Sequence, residues 1–418
     1  MPHPRRAIWS WAFIDWANSA FAIVVMTAFF PIFFSKHWCA GTGLSTSQST
    51  AYLAFTNSAS SVIIAVLAPM LGAIADAGRG KKKFLLAFTL LGASATAALP
   101  LVAQGHFLLA AALYAVAAIG FSGNNMFCDA LITEVAEPQT YNRVSSLGYA
   151  LGYIGSGALF LFCTIMVREP ARFGLADAPA AIKLAFGITA AWWAVFTIPA
   201  MLWIRETGPA PDASHRSLIA RGLQQLKTTF FEIRTDRRLL LFLAAYILYI
   251  DGVNTVIKMA ASFGLSIGLD DGAMLKALIV TQFVAFPSAI AFGRIGERLG
   301  ARTGILIGIS IYAGVCLFAT TMDTSAEFFA MAIIIGLVQG GVQALSRSFF
   351  ASLIPQDKAS EYFGFYNMVG KFSAIIGPTL MGLAALAIGT RFSILALLLL
   401  FGFGGWLLTR VGNGSRQA

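Results

Sequence analysis

Residues Ile14-Asp15-Trp16-Ala17-Asn18-Ser19 set a carboxylate, an amide and a hydroxyl inside an apolar stretch running from about Ile8 to Phe34. A second copy, Ile250-Asp251-Gly252-Val253-Asn254-Thr255, repeats the Ile-Asp pair, the Asn three positions on and the small hydroxyl residue after it, again within a long apolar run. An ionisable side chain is expensive in hydrocarbon, so by default it faces a protein interior or a wet cavity and marks a functional site. Two matched knots imply two matched halves.

The composition around them belongs in a membrane. Of 418 residues, 58% are hydrophobic and 11% charged, whereas about a quarter of a soluble domain is charged. The net charge of +10 raises nucleic acid or anionic lipid as partners; nearly all the charges fall in loops, which accounts for the excess without nucleic acid. Cys39, Cys128, Cys163 and Cys316 are scattered, three of them in apolar runs, so neither a disulfide framework nor a thiolate metal site is indicated. After Arg5 and Arg6 the apolar run is too long for a signal-peptide core, so the first span is expected to act as its own insertion signal.

A hydrocarbon core about 30 Å thick takes roughly 20 residues of helix. Runs of that length lie at about 8–34, 50–75, 84–103, 107–133, 144–167 and 181–204, then 239–263, 273–295, 303–321, 325–349, 362–386 and 391–410. Helices are required, because unpaired backbone groups cannot face lipid and these runs are too long for barrel strands. The expected fold is an all-α membrane protein of twelve transmembrane helices in two six-helix bundles, 1–204 and 239–418, joined by a basic linker at 205–238. Within that linker Ser217–Arg234 has the mixed pattern of an amphipathic helix on the membrane surface. Lys81, Lys82, Lys83, Arg143, Arg237, Arg238, Arg294, Arg302, Arg347 and Arg410 all gather on the side of the termini, against Lys36, Arg168, Arg172, Lys183, Lys276 and Arg391 on the other. By the positive-inside rule both termini are cytoplasmic. A bacterial inner membrane is the first expectation and an organellar membrane the second.

The halves echo one another beyond the knots. Gly72-Ala73-Ile74-Ala75-Asp76 after span two and Gly293-Arg294-Ile295-Gly296-Glu297-Arg298 after span eight each set an acid four residues after a glycine, followed by glycine and basic residues. Pro138 to Gly148 matches Pro355 to Gly364 in role and spacing. Such a duplication is the pattern of secondary transporters, with a binding site near the midplane between the halves. The six-plus-six arrangement with Gly-x-x-x-Asp and a basic cluster resembles the major facilitator superfamily. The stretches from Asp15 to Ser19, Arg143 to Gly155, Asp251 to Thr255 and Gln339 to Arg347 resemble its branch of fungal vacuolar amino-acid effluxers and their bacterial relatives. The sequence departs from the superfamily loop at Ala77, where a basic residue is usual, and Arg79-Gly80 displace the following basics by one position.

Asp15, Asn18 and Ser19, at i, i+3 and i+4, share one helix side, as do Asp251, Asn254 and Thr255. A carboxylate beside amides and hydroxyls accepts hydrogen bonds when ionised and donates when protonated, which suits it to carry a proton or hold a substrate amine. The bland alternative is polar packing between helices. Asp251, deeper in its span, is the stronger of the two. Asn124, Asn125 and Asp129 in span four, and Gln339 and Gln343 in span ten, are suited to a cavity wall. The resemblance implies that spans one, four, seven and ten line that cavity. Lys371, roughly 13 Å into span eleven, needs an anion, with Asp251, Asp129 or the substrate as candidates; Lys258 is expected to snorkel to the interface. Gly72, Asp76, Gly293, Glu297 and Arg298 read as gates, with Asp76 reaching the amino end of span eleven and Glu297 that of span five.

No Walker motif or His-Glu-x-x-His pairing is present, so neither ATP nor a metal is expected to act from this chain, and no cofactor is implied. The expected function is secondary active transport of a small polar metabolite, an amino acid or similar, by efflux with proton coupling, by a monomer in the lipid bilayer and without enzyme activity. A proton-coupled drug or peptidoglycan-fragment permease and a non-transporting receptor or scaffold are the alternatives.

Overall fold

The computed structural model describes residues 5–78, 80–207, 227–266, 271–373, 376–389 and 391–412, and side chains within these except at 258–266, 271–275 and 388. Twelve helices among them are long and apolar enough to cross a membrane: α1 (Arg5–Trp38), α2 (Thr46–Ala77), α3 (Lys81–Leu101), α4 (Phe107–Val135), α5 (Pro138–Arg168), α6 (Ala178–Trp203), α7 (Arg237–Ile257), α8 (Lys276–Leu299), α9 (Ala301–Ala319), α10 (Ser325–Leu353), α11 (Gln356–Ala387) and α12 (Ser393–Arg410). Their outward residues include Phe55, Val66, Leu101, Leu202 and Leu386, all well exposed. That inversion of the soluble pattern suits a surface solvated by lipid chains.

Local chemistry sets the ends. Ser45 with Gln48 and Thr324 with Glu327 form capping boxes at the starts of α2 and α10, each satisfying amides that the first turn leaves without partners. Gly300, at φ 85°, makes the one-residue turn between α8 and α9, a conformation that costs a side-chain-bearing residue. The carboxylate of Glu206 accepts from the backbone amides of Lys81 and Lys82 and so ties the end of α6 to the start of α3. Beyond it, residues 208–226 of the linker, including most of the expected amphipathic stretch, lie outside the described residues; residues 227–235 are helical.

In the amino half α1 packs on α5 and α6, and α4 on α2 and α3; in the carboxyl half α7 packs on α12, and α10 on α8 and α9. The halves meet through α2 against α11 and through α5 against α8 and α10. α1 is irregular, with π-helical turns at Phe21–Phe29 and Phe34–Trp38. Ala22, Ile23, Met26 and Thr27 of the first π segment line the space left at the centre, and wide turns of this kind gather at functional sites.

Candidate functional site: a charged floor beneath the central cavity

That space is a cavity of about 540 Å³. Besides α1, α4, α7 and α10, it is walled by Tyr149, Tyr153 and Ser156 of α5, Thr281 and Gln282 of α8, and Tyr366 and Asn367 of α11. Its upper wall is largely apolar, with Ile23, Phe121, Ile257, Leu278, Phe328 and Met331. Its floor, toward the chain termini, holds Asp15, Asp129 and Arg347.

Arg347 organises the floor. Its Nε donates to Ser145 Oγ (2.9 Å), Nη1 to Asp15 Oδ1 (3.3 Å) and Asp129 Oδ1 (3.1 Å), and Nη2 to Asp15 Oδ2 (2.9 Å) and the Ser145 carbonyl (2.9 Å). All five guanidinium protons are thereby used. Trp11 and Tyr149 lie over the guanidinium at 4.7 and 4.3 Å, adding cation–π attraction in a site shielded from water. Arg347 is 2% exposed. It sits on the carboxyl half, while Asp15, Asp129 and Ser145 belong to the amino half, so the cluster joins the two. Gly148 makes the approach possible, since a Cβ there would lie 2.3 Å from Asp15 Oδ2.

The knots divide their side chains. Asp15 and Ser19, 40° apart around α1, line the cavity. Asn18, about 60° from Asp15 on the side away from Ser19, donates to Asn124 Oδ1 (2.8 Å) and Asn125 Oδ1 (2.7 Å), and Asn124 passes the chain on to Thr89 (2.7 Å). Asn125 reaches the cavity, whereas Asn18 and Asn124 are buried between helices. In α7 the positions are exchanged. Asn254 lines the cavity, while Asp251 is fully buried off its wall, accepting from the Gly377 amide of α11 beside Thr255. Gln339 and Gln343 lie on the wall, and Tyr153 donates to Gln343 Oε1 at 3.1 Å. Lys371 borders a crevice between α2, α4 and α11 away from the central wall; Asp129, one of its candidate partners, is held by Arg347 and by Asn367 (3.3 Å). The side chain of Lys258 lies outside the described residues.

Below the floor the two glycine-acid motifs behave differently. Gly72 packs on the α11 backbone at Ser360 and Glu361, and Asp76 Oδ2 accepts from the Glu361 amide at 2.9 Å, capping the start of α11. Lys81 Nζ stands 3.6 Å from Asp76 and 2.7 Å from Glu134, whose other oxygen accepts from Thr207. In the second copy Gly293 meets the Ser146 side chain, and Asn142 of α5 donates to the Gly296 carbonyl at 3.0 Å. Glu297 and Arg298 are exposed, so the contact expected of Glu297 with α5 is made instead by Asn142 and the backbone. The ends bearing the termini are therefore closed against each other, while Thr27, at the far end of the cavity, is exposed.

One side chain central to this arrangement was counted by sequence only among the basic residues on the side of the termini. Arg347 lies within α10, which runs on to Leu353. The signal was in its spacing, because Gln339, Gln343 and Arg347 fall at i, i+4 and i+8 and all three reach the cavity.

Twelve helices around one central cavity, with the two halves joined beneath it by the Arg347 cluster, define a transporter of the major facilitator fold. The chain belongs to the family described as vacuole effluxer Atg22 like, which it matches over residues 3–418. It is 42% identical over 397 residues to YxiO, an uncharacterized MFS-type transporter of Bacillus subtilis (strain 168), covering 94% of this chain and 92% of that one. Autophagy-related protein 22 of Coccidioides immitis (strain RS) is 25% identical over 544 residues, covering 100% of this chain and 88% of the relative. Among solved structures, the transporter FucP in its outward conformation superposes with a TM-score of 0.72 at 12% identity, covering 98% of this chain and 99% of FucP. The human organic anion transporter MFSD10 superposes with a TM-score of 0.70 at 14% identity, covering 98% and 100%. At these identities the structures speak for the fold alone.

Proposed function

We propose that the protein is a secondary active transporter, working as a monomer by alternating access, that moves a small polar metabolite of the amino-acid class with proton coupling. Efflux is the direction that the name of the family favours. The observation that carries the reading is the Arg347 cluster, a buried ion-paired joint between the halves at the floor of a cavity. Opening the end that bears the termini must part Arg347 from Asp15 and Asp129. Stripping one partner from a buried pair costs about 3–5 kcal/mol, so the step is favoured when something replaces the lost partner. A zwitterionic substrate supplies a carboxylate for Arg347 and an ammonium for one aspartate, and a proton neutralises the other. A load that binds one state better than the other shifts the balance between them, which is what coupled transport requires. A non-transporting scaffold has no use for such a cluster.

Proteoliposome counterflow with a panel of amino acids and peptidoglycan fragments, at two pH values, tests this. The parent protein should exchange at least one zwitterionic amino acid. Asp15→Asn and Asp129→Asn should each lower exchange at least tenfold, about 1.4 kcal/mol of lost discrimination, and flatten its pH dependence. Unchanged rates and pH profiles in both variants would remove the aspartates from the mechanism.

A further inference from the structure

Resting on that reading, we propose that Glu232, in the connector between the halves, is a positioning residue that holds the first turn of α11 for closure on α2. The turn is gripped from two sides. On one side Gly72 and Asp76 of α2 meet Ser360 and Glu361, backbone to backbone and carboxylate to amide. On the other, Lys358 and Tyr362, four residues apart and so on one face, both reach Glu232. Lys358 Nζ donates to its two oxygens at 2.8 and 2.9 Å, and the Tyr362 hydroxyl donates at 2.9 Å.

The described part of the connector, residues 227–235, is a short helix anchored to the carboxyl half. Within residues 227–235, Thr229 is fully buried and lies against the Glu361 carboxyl, and Ile233 is buried in the same apolar cluster as Phe350 and Tyr362. Asp236 follows at once and caps α7, its carboxylate accepting from the amides of Arg238 (3.0 Å) and Leu239 (3.2 Å). The strap is thus fixed at one end to α7 and at the other to the start of α11. Its grip sets the angle at which α11 offers the Glu361 amide to Asp76. Because α2 is in the other half, an element with no place in the cavity biases the balance between states closed and open at this end.

The full chain in lipid nanodiscs, spin-labelled at Lys83→Cys and Asp357→Cys, both exposed, gives the separation of the α3 and α11 ends by electron–electron resonance. The four native cysteines are buried and leave the labelling to these sites. With Glu232→Gln the population at long separation should rise roughly two- to fivefold, the size of effect that a partly exposed ion pair carries. The exchanged pair Glu232→Lys with Lys358→Glu should bring it back toward the parent. Distance distributions identical in parent and Glu232→Gln would overturn the proposal, as would a shift that the exchanged pair leaves in place. Neither outcome bears on whether the protein transports amino acids, because no substrate is used.

Discussion

Replacing Arg347 by glutamine should reduce substrate exchange at least about a hundredfold, because it removes the one cation that Asp15 and Asp129 share and leaves two carboxylates facing each other in a buried site, a loss of about 3–5 kcal/mol. Lysine should rescue little. Its ammonium has three donors against five, and it does not reproduce the flat group that sits against Trp11 and Tyr149 while reaching Ser145 twice. The same substitution should lower the melting temperature. Changing all three members together, Asp15→Asn, Asp129→Asn and Arg347→Gln, should restore part of that loss, since no charge is then left unpaired in the buried site. Exchange should stay absent. Counterflow and thermal unfolding in detergent, measured side by side on the two proteins, separate the roles. Recovery of transport in the triple variant would show that the cluster only glues helices.

Much of this architecture was legible in the chain because lipid leaves few options. Runs of apolar residues marked twelve helices, and the polar interruptions agreed with the four that the resemblance set around the cavity, while the walls added by α5, α8 and α11 were not foreseen. Asp15 could be placed near the centre on that ground alone. What the linear pattern could not supply was rotation. Asp15 and Asp251 occupy equivalent places in repeated motifs, yet one faces the cavity and the other lies against Gly377 on α11, because the turn of each helix about its axis is set by its neighbours. The role of Arg347 was missed for a related reason. A basic residue near the end of an apolar run, here two residues inside the expected span 325–349, counts toward the topology rule, and only its neighbours on other helices reveal that it is buried and paired. Glu297 repeats the lesson at the gate, where a matching sequence became an exposed side chain and its neighbours' backbone took over the contact.

That difference between the two gates gives the second large effect. Gly72→Ala should hold the protein open at the end that bears the termini, while Gly293→Ala should be several times milder, although the sequence presents them as counterparts. A Cβ at Gly72 would lie 2.3 Å from the Ser360 carbonyl oxygen, 2.6 Å from its carbon and 2.8 Å from the Glu361 Cα, all of them backbone atoms of a packed helix. They can yield only if α11 moves away, and moving α11 breaks the bond from the Glu361 amide to Asp76. At Gly293 the nearest atoms are the Cβ and Oγ of Ser146, at 2.8 and 2.9 Å. Rotation about χ1 carries Oγ aside, but the Cβ moves only with its backbone, so α5 must shift by a few tenths of an ångström; that is less than three backbone contacts ask of α11, and the Asn142 bond to Gly296 can survive it. Overpacking of a tight contact costs about 1–3 kcal/mol, enough to move the ratio of closed to open states by roughly five- to a hundredfold at Gly72. Thiol labelling of a cysteine introduced at Ser19, on the cavity wall, from the side of the termini reads the result: fast in Gly72→Ala, slow in the parent and in Gly293→Ala. Equal labelling in the two glycine variants would mean that α2 against α11 and α5 against α8 close the cavity in equal measure, and that the backbone contact at Gly72 has no special part in it.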